Sequence, residues 1–378
     1  MTTRRSFLSL LGMVPIGAFG LSCRVSDSGS DKEEASGVPR SDAMDEALEM
    51  LAPYGASYRG GLSNHGPMTA EALVSLGRED AVAGWVARYR KRLSARPAQS
   101  QRVEASQWRE ALGDNSRSRD WDEFFTNELA EATWQNVVGV WVPRLAPGIA
   151  AAGLHGVIRV GHAVCSLRAK DNELRRDELA RALSYWASDY LPLPGEYSRA
   201  GKLTPSLALK EVELLPSEQR SSRGLITTEL KDLRGFEPFA EAIHLVDSTT
   251  ESSSFMDDLL VTFAGIFVNT NSNSFEFLHA VTGTAAIVEL LPHVKPEDRA
   301  AVHAYTWQVT AGVFARYARQ NLVAEFESGP NGVDPKRLAQ LAVASWDEHT
   351  IKLVAACTRG ALTNSDPRLL AAAAKRVR

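Results

Sequence analysis

Leu174-Arg175-Arg176-Asp177-Glu178-Leu179-Ala180-Arg181-Ala182-Leu183-Ser184-Tyr185-Trp186-Ala187-Ser188-Asp189-Tyr190 places Leu179, Leu183, Trp186 and Tyr190 at intervals of four, three and four, with Ala180 and Ala187 beside them. That spacing gathers the apolar side chains on one face of an α-helix and leaves the charges on the other. Pro192 and Pro194 follow and stop it. The same recurrence runs through Ala43 to Leu51, Met68 to Leu76, Ala81 to Leu93, Asp122 to Ala132, Phe275 to Leu291, Asp298 to Asn321 and Pro335 to Cys357. Strict alternation is short and rare. Stops fall at Gly77 and at Gly329-Pro330-Asn331-Gly332. Leu203 to Leu230 is the weakest stretch for helix, and Thr270 to Ser274 reads as a polar loop. No fixed-period repeat and no linker divides the body. The expected fold is all-α, a multi-helix bundle forming a single large domain over residues 41–378.

The chain has 378 residues, 44% hydrophobic and 23% charged, enough to bury a large core. Its net charge of −4, with basic residues scattered along amphipathic segments, argues against a nucleic-acid partner. Residues 1–23 read as a targeting segment. Thr3-Arg4-Arg5-Ser6-Phe7-Leu8 fits the twin-arginine export pattern, and the apolar stretch from Leu10 to Leu21 is too short to span a bilayer. Gly20-Leu21-Ser22-Cys23 resembles a lipoprotein cleavage box, with Gly where an aliphatic residue is usual. The expectation is export to the periplasm or cell envelope, with a membrane tether through Cys23 left open. Residues 24–40 are rich in Ser, Gly, Asp and Glu and read as a flexible linker. Cys165 and Cys357 are expected as free buried thiols, since that route carries proteins folded in a reducing compartment.

With no Walker loop, no Gly-x-Gly-x-x-Gly after a strand and no Gly-x-Ser-x-Gly elbow, chemistry must come from other side chains. Of eight histidines, His244, His293 and His303 sit in ordinary helical contexts and read as surface or core groups. His65 lies in Asn64-His65-Gly66-Pro67-Met68, just before a helix whose first turn takes Pro67. Leu154-His155-Gly156-Val157-Ile158-Arg159-Val160-Gly161-His162 puts His155, Arg159 and His162 on one stripe, but His155 and His162 are on the order of 10 Å apart along the axis. His155 is the better ligand, and His162 reads either as a group supporting the ligands from behind or as one facing the substrate. His279, in Phe275-Glu276-Phe277-Leu278-His279, taken alone reads more often as a satisfied core histidine. His349 and Lys352 share a face at i and i+3. Histidines on separate helices of a bundle are how such folds build metal sites, and imidazole suits iron, copper, nickel or zinc alike.

In that order, the segments around His65, His155 to His162, His279 and His349 to Lys352 resemble the histidine motifs of the questin-oxidase-like family, best known from fungal enzymes that open anthraquinone rings oxidatively. The resemblance runs from about Met44 to the final helix. It implies a mononuclear non-haem iron held by His65, His155, His279 and His349, with Lys352, open to carboxylation, completing the shell. Where fungal members carry a second histidine this chain has Arg159, with His162 nearby. Arg159 is expected to bind an anionic or enolate oxygen of the substrate, with His162 as the second catalytic group. The implied activity is an oxygenase reaction, Baeyer–Villiger-like or ring-cleaving, on a phenolic or quinone-like substrate with dioxygen. Trp134, Trp141 and Phe277 are candidates to line its pocket, although core packing is the commoner role for such residues. The rival readings are a metal-dependent hydrolase, which no His-Glu-x-x-His helix supports, and an envelope-tethered helical binding protein without catalysis.

Overall fold

The computed structural model describes residues 42–221, 224–270, 274–319 and 334–378. The segments expected as an export signal and a linker, residues 1–40 with Cys23 among them, lie outside the described residues. The body from Ser41 to Arg378 is one compact helical unit. It begins with α1 (Ala43–Leu51), a two-residue hairpin of β1 (Ser57–Tyr58) and β2 (Leu62–Ser63), α2 (Gly66–Ser75) and α3 (Glu79–Tyr89). Then come α4 (Ser118–Glu131), α5 (Trp134–Leu145), α6 (His155–Ala169) and α7 (Glu173–Ser188). Short helices α8 (Pro205–Ala208) and α9 (Ile226–Glu229) lead to α10 (Ser252–Asn269), α11 (Ser274–Leu290) and α12 (Pro296–Tyr317). The chain closes with α13 (Pro335–Ser345), α14 (Glu348–Gly360) and α15 (Pro367–Arg376).

Local chemistry sets many of these boundaries. Asp42, Thr133, Asn172, Asp334, Asp347 and Asp366 each cap the N-terminus of the helix that follows, the side chain accepting a backbone N–H of the first turn. The apolar face read over Leu174 to Tyr190 is buried as expected, with Leu179, Leu183 and Trp186 fully enclosed. Around it, Trp121, Phe125 and Trp141 pack edge to face or stacked in the core.

Four helices position the site. α2 packs on α6, α6 on α11, α11 on α14 and α14 back on α2, a closed ring backed by α7, α10 and α15. Residues from the N-terminal ends of all four meet at one level: His65, His155, His279 and His349. Residues further along the same helices meet at a second level, where Glu71 of α2 holds His162 of α6 and Arg359 of α14, and Arg359 reaches Glu289 of α11. The four therefore run in the same direction. Returning to the starting end takes α3 to α5, then α7 to α10, then α12 and α13. Gly161 allows α6 to approach α11 closely, since a Cβ there would sit 2.7 Å from the Cβ of Ala286 on α11.

Two expectations are corrected. Pro335 to Cys357 is two helices, because Trp346 takes a left-handed conformation (φ 57°) and Asp347 starts α14 by accepting from the backbone of Thr350. α12 ends at Tyr317, where Ala318 turns extended, and Asn321 lies outside the described residues. Leu203 to Leu230 holds short helices and 3-10 turns, in line with its weak pattern.

Candidate metal centre

His65 is the residue immediately before α2 and is placed by its neighbours. Its backbone N–H donates to the Tyr89 hydroxyl at 2.8 Å, while the Asn64 amide donates to the carbonyl of Gly55 and accepts from Gly66 N–H. His155 is the first residue of α6 and follows Leu154, whose φ of 71° turns the chain sharply into the helix. His349 is the second residue of α14, and His279 lies one and a half turns into α11. The ring centroids stand 4.7 Å apart for His65 and His155, 4.5 Å for His65 and His349, 4.6 Å for His155 and His279, and 5.3 Å for His279 and His349. One ligand atom from each of His65, His155 and His349 lies within 4.8 Å of the others, so this trio is placed to hold a metal ion.

The hydrogen bonds fix which nitrogens are free. His155 Nδ1 stands 2.7 Å from the carbonyl oxygen of Ala152, and His279 Nδ1 stands 2.7 Å from that of Phe275. A carbonyl only accepts, so each Nδ1 carries the proton and each Nε2 of the neutral ring presents a lone pair. Those two Nε2 atoms face each other at 3.2 Å. A hydrogen bond between them would require one ring to be an imidazolium. Burial opposes that, pushing His279 down to about 3 and His155 well below the usual histidine range. A metal ion between them removes the conflict, since two nitrogens each about 2.1 Å from one ion at tetrahedral to right angles sit roughly 3.0–3.4 Å apart.

Three more buried atoms at the cluster lack a partner: His65 Nδ1, His349 Nε2 and Lys352 Nζ. Burial, and then the charge of Lys352, holds His65 and His349 well below their ordinary value, so all four rings are in the neutral, ligating form at physiological pH. Lys352 is fully enclosed and burial brings its amine down to about 7. The starts of α2, α6 and α14 converge here, and their dipoles favour an anion among the ligands. The donor set fits a mononuclear metal centre of borderline softness such as iron, copper or zinc. Phe275, 41% exposed, lies edge-on against both His279 and His349 at 4.6 Å and covers the cluster from outside.

No family model matches the chain, and no curated protein matches it.

The structure brings together His65, His155, His279, His349 and Lys352, and it places the two remaining site residues elsewhere. Arg159 is buried in a bidentate pair with Glu178 of α7, at 2.7 and 2.8 Å, while its Nη1 is buried without a hydrogen-bond partner. His162 lies two turns along α6 with Nδ1 on Glu71, at the second polar level. Trp141 and Phe277 are core residues, and Trp134 packs on His293. His244 and His303 bond to serines as ordinary histidines do, and Cys165 and Cys357 are free buried thiols. Sequence reasoning missed Tyr89, which anchors His65, and Phe275, which covers the site. Asp347 was the readable signal missed, because Asp347-x-x-Thr350 is a helix-start pattern.

Proposed function

We propose that this protein is an oxidoreductase, a non-haem-iron oxygenase acting on a phenolic or quinone-like aromatic substrate. The observation that carries the metal reading is the pair of opposed Nε2 lone pairs on His155 and His279, their protons pinned to carbonyl oxygens. The unpartnered His65 Nδ1, His349 Nε2 and Lys352 Nζ supply the remaining donors. Iron held there would supply dioxygen activation. The resemblance of the five-residue set to questin-oxidase-like motifs favours iron over zinc and an aromatic over a peptide or ester substrate.

The chain's own residues do the rest. A neutral Lys352 amine can attack carbon dioxide, forming an N–C bond and releasing one proton, and so present an anionic oxygen to a centre whose four imidazoles carry no charge. The dipoles of the converging helices stabilise that anion. Phe275 offers its exposed side to a planar ring brought next to His279 and His349. The enclosed histidines exclude bulk water from the reacting oxygen. Export by the twin-arginine route fits a protein that takes up its metal before crossing a membrane.

The test is oxygen consumption by the iron-loaded protein against a panel of phenols and hydroxylated quinones. Uptake that depends on both iron and substrate is expected, and Phe275→Ala should raise KM about fivefold with a smaller change in kcat, consistent with loss of one stacking contact worth about 1 kcal/mol. Metal loading without oxygen uptake on any aromatic compound would overturn the oxygenase reading and leave a hydrolase. Absence of bound metal would leave a helical binding protein.

A further inference from the structure

A chain of large rings leads from the histidine cluster to the surface. His65 N–H donates to the Tyr89 hydroxyl at 2.8 Å, and Tyr89 stacks on Trp85, one helical turn earlier in α3, with ring centroids 4.6 Å apart and planes 15° from parallel. Trp85 Nε1 in turn donates to the carbonyl oxygen of Trp346 at 3.2 Å. Tyr89 and Trp85 are buried, whereas Trp346 is 43% exposed, and of the eight tryptophans it alone is exposed. Its backbone is left-handed (φ 57°), a conformation unfavourable for a bulky side chain and more readily met by Gly or Asn at the end of a helix. The rings therefore form an unbroken series of hydrogen-bonded and stacked contacts with its inner end at His65 and its outer end in solvent.

We propose, on the metal reading of the histidine cluster, that Trp346, Trp85 and Tyr89 form an electron path from the surface to the centre, used to reduce peroxide that arises there when dioxygen is activated without an aromatic substrate. Reduction of one peroxide to two waters takes two electrons and two protons, so the path is used twice and the protons come from solvent. Each electron leaves the Trp85 indole across the stacked Tyr89 ring, and Trp346 then refills Trp85. Tyr89 serves as a bridge, because its hydroxyl lies between His65 N–H and the carbonyl oxygen of Ser63, a weak base that does not take the phenol proton. An indole gives up an electron and keeps its N–H proton until the vacancy reaches water. At Trp346 the Arg88 guanidinium, 5.0 Å from the ring centre, opposes a second positive charge and drives that proton into solvent. A soluble one-electron donor of the ascorbate class returns the electron and water returns the proton, which leaves the chain unchanged.

The experiment treats the iron-loaded whole chain with hydrogen peroxide in the absence of any aromatic substrate and locates oxidised residues by peptide mass spectrometry, with iron content measured on every sample. Without a reductant, oxygen addition is expected at Trp346, and ascorbate should suppress it while being consumed together with the peroxide. In Trp85→Phe, which keeps a ring against Tyr89 but removes the indole, Trp346 oxidation should fall to the level of metal-free protein with iron retained. Trp346→Phe, a surface change that leaves the core as it is, should keep its iron and lose the ascorbate-driven consumption of peroxide. Trp346 left unoxidised in an iron-bound wild type, oxidation that persists in Trp85→Phe as attack from solution would give, or peroxide consumption unchanged in Trp346→Phe would each overturn the proposal. A wild type that takes up no iron would overturn the metal reading and this path with it, and the metal content alone distinguishes that outcome from failure of the path.

Discussion

The four ring histidines differ from His303 in what the second nitrogen meets. His303, for comparison, has both nitrogens satisfied, by Ser248 O and Ser252 Oγ. His155 and His279 have one satisfied and the other turned on a lone pair, and His65 and His349 each keep a buried nitrogen without a partner. Lys352 belongs to the same group. In the presence of 13C-labelled bicarbonate, the wild type should show a carbamate carbon resonance near the cluster that is absent in Lys352→Met. A wild-type spectrum without it would leave Lys352 a plain amine. At this scale the sequence was informative wherever local context aims a side chain. Asn64-His65-Gly66-Pro67 and His155-Gly156 carry their geometry in the turn that precedes them. Arg159 shows the limit: its place on the His155 stripe is legible, but its partner Glu178 comes from another helix and nothing near Arg159 announces it.

Between residues and fold, the break at Trp346 to Asp347 decides whether His349 and Lys352 reach the cluster. A continuous helix from Pro335 would carry them in a different direction. Asp347 holds the break by accepting from Thr350 N–H and Thr350 Oγ at 2.7 Å each and from Arg376 at 3.0 Å. Asp347→Ala is expected to cost about 1–2 kcal/mol of stability and to weaken metal binding, read by thermal melting and by metal titration. A melting point lowered with metal affinity intact would mean that the cap supports the helix without setting the site. Apolar periodicity could not find this break, because Ala344, Ile351 and Val354 keep helical spacing across it. The capping pattern, a short polar signal inside an apolar run, could. The α6–α11 contact gives a second check. Gly161→Ala should destabilise by about 1–3 kcal/mol, since the added methyl meets Ala286 at 2.7 Å.

For the whole molecule, the sequence showed the class, an all-α body, because nearly every segment carries one helical face. It did not show that α2, α6, α11 and α14 run parallel in a closed ring, since the order of helices around a bundle depends on contacts far apart in the chain. Buried polar pairs fix that arrangement. Glu178→Gln strands the Arg159 guanidinium in the interior and is expected to cost about 3–5 kcal/mol, measured by chemical denaturation. The pH dependence of stability has one predictable component away from the site. Burial raises the Asp189 carboxyl to about 6. The unfolded chain therefore binds fewer protons there than the native one, and stability falls as pH climbs from about 4 through 6, with the full cost present above that. Asp189→Asn should leave the melting temperature unchanged near pH 4 and raise it by about 1–3 °C at pH 7.5. An equal change at both pH values would remove the carboxyl as its source.

The central claim is that the converging histidines hold one metal ion, and the direct measurement is metal content by mass spectrometry on protein lacking residues 1–23, purified anaerobically from iron-replete cells. The account predicts close to one iron per chain in the wild type and its loss in the His65→Ala/His279→Ala variant, with helical content retained. A wild type without stoichiometric transition metal, or a double variant that keeps it, would contradict the account.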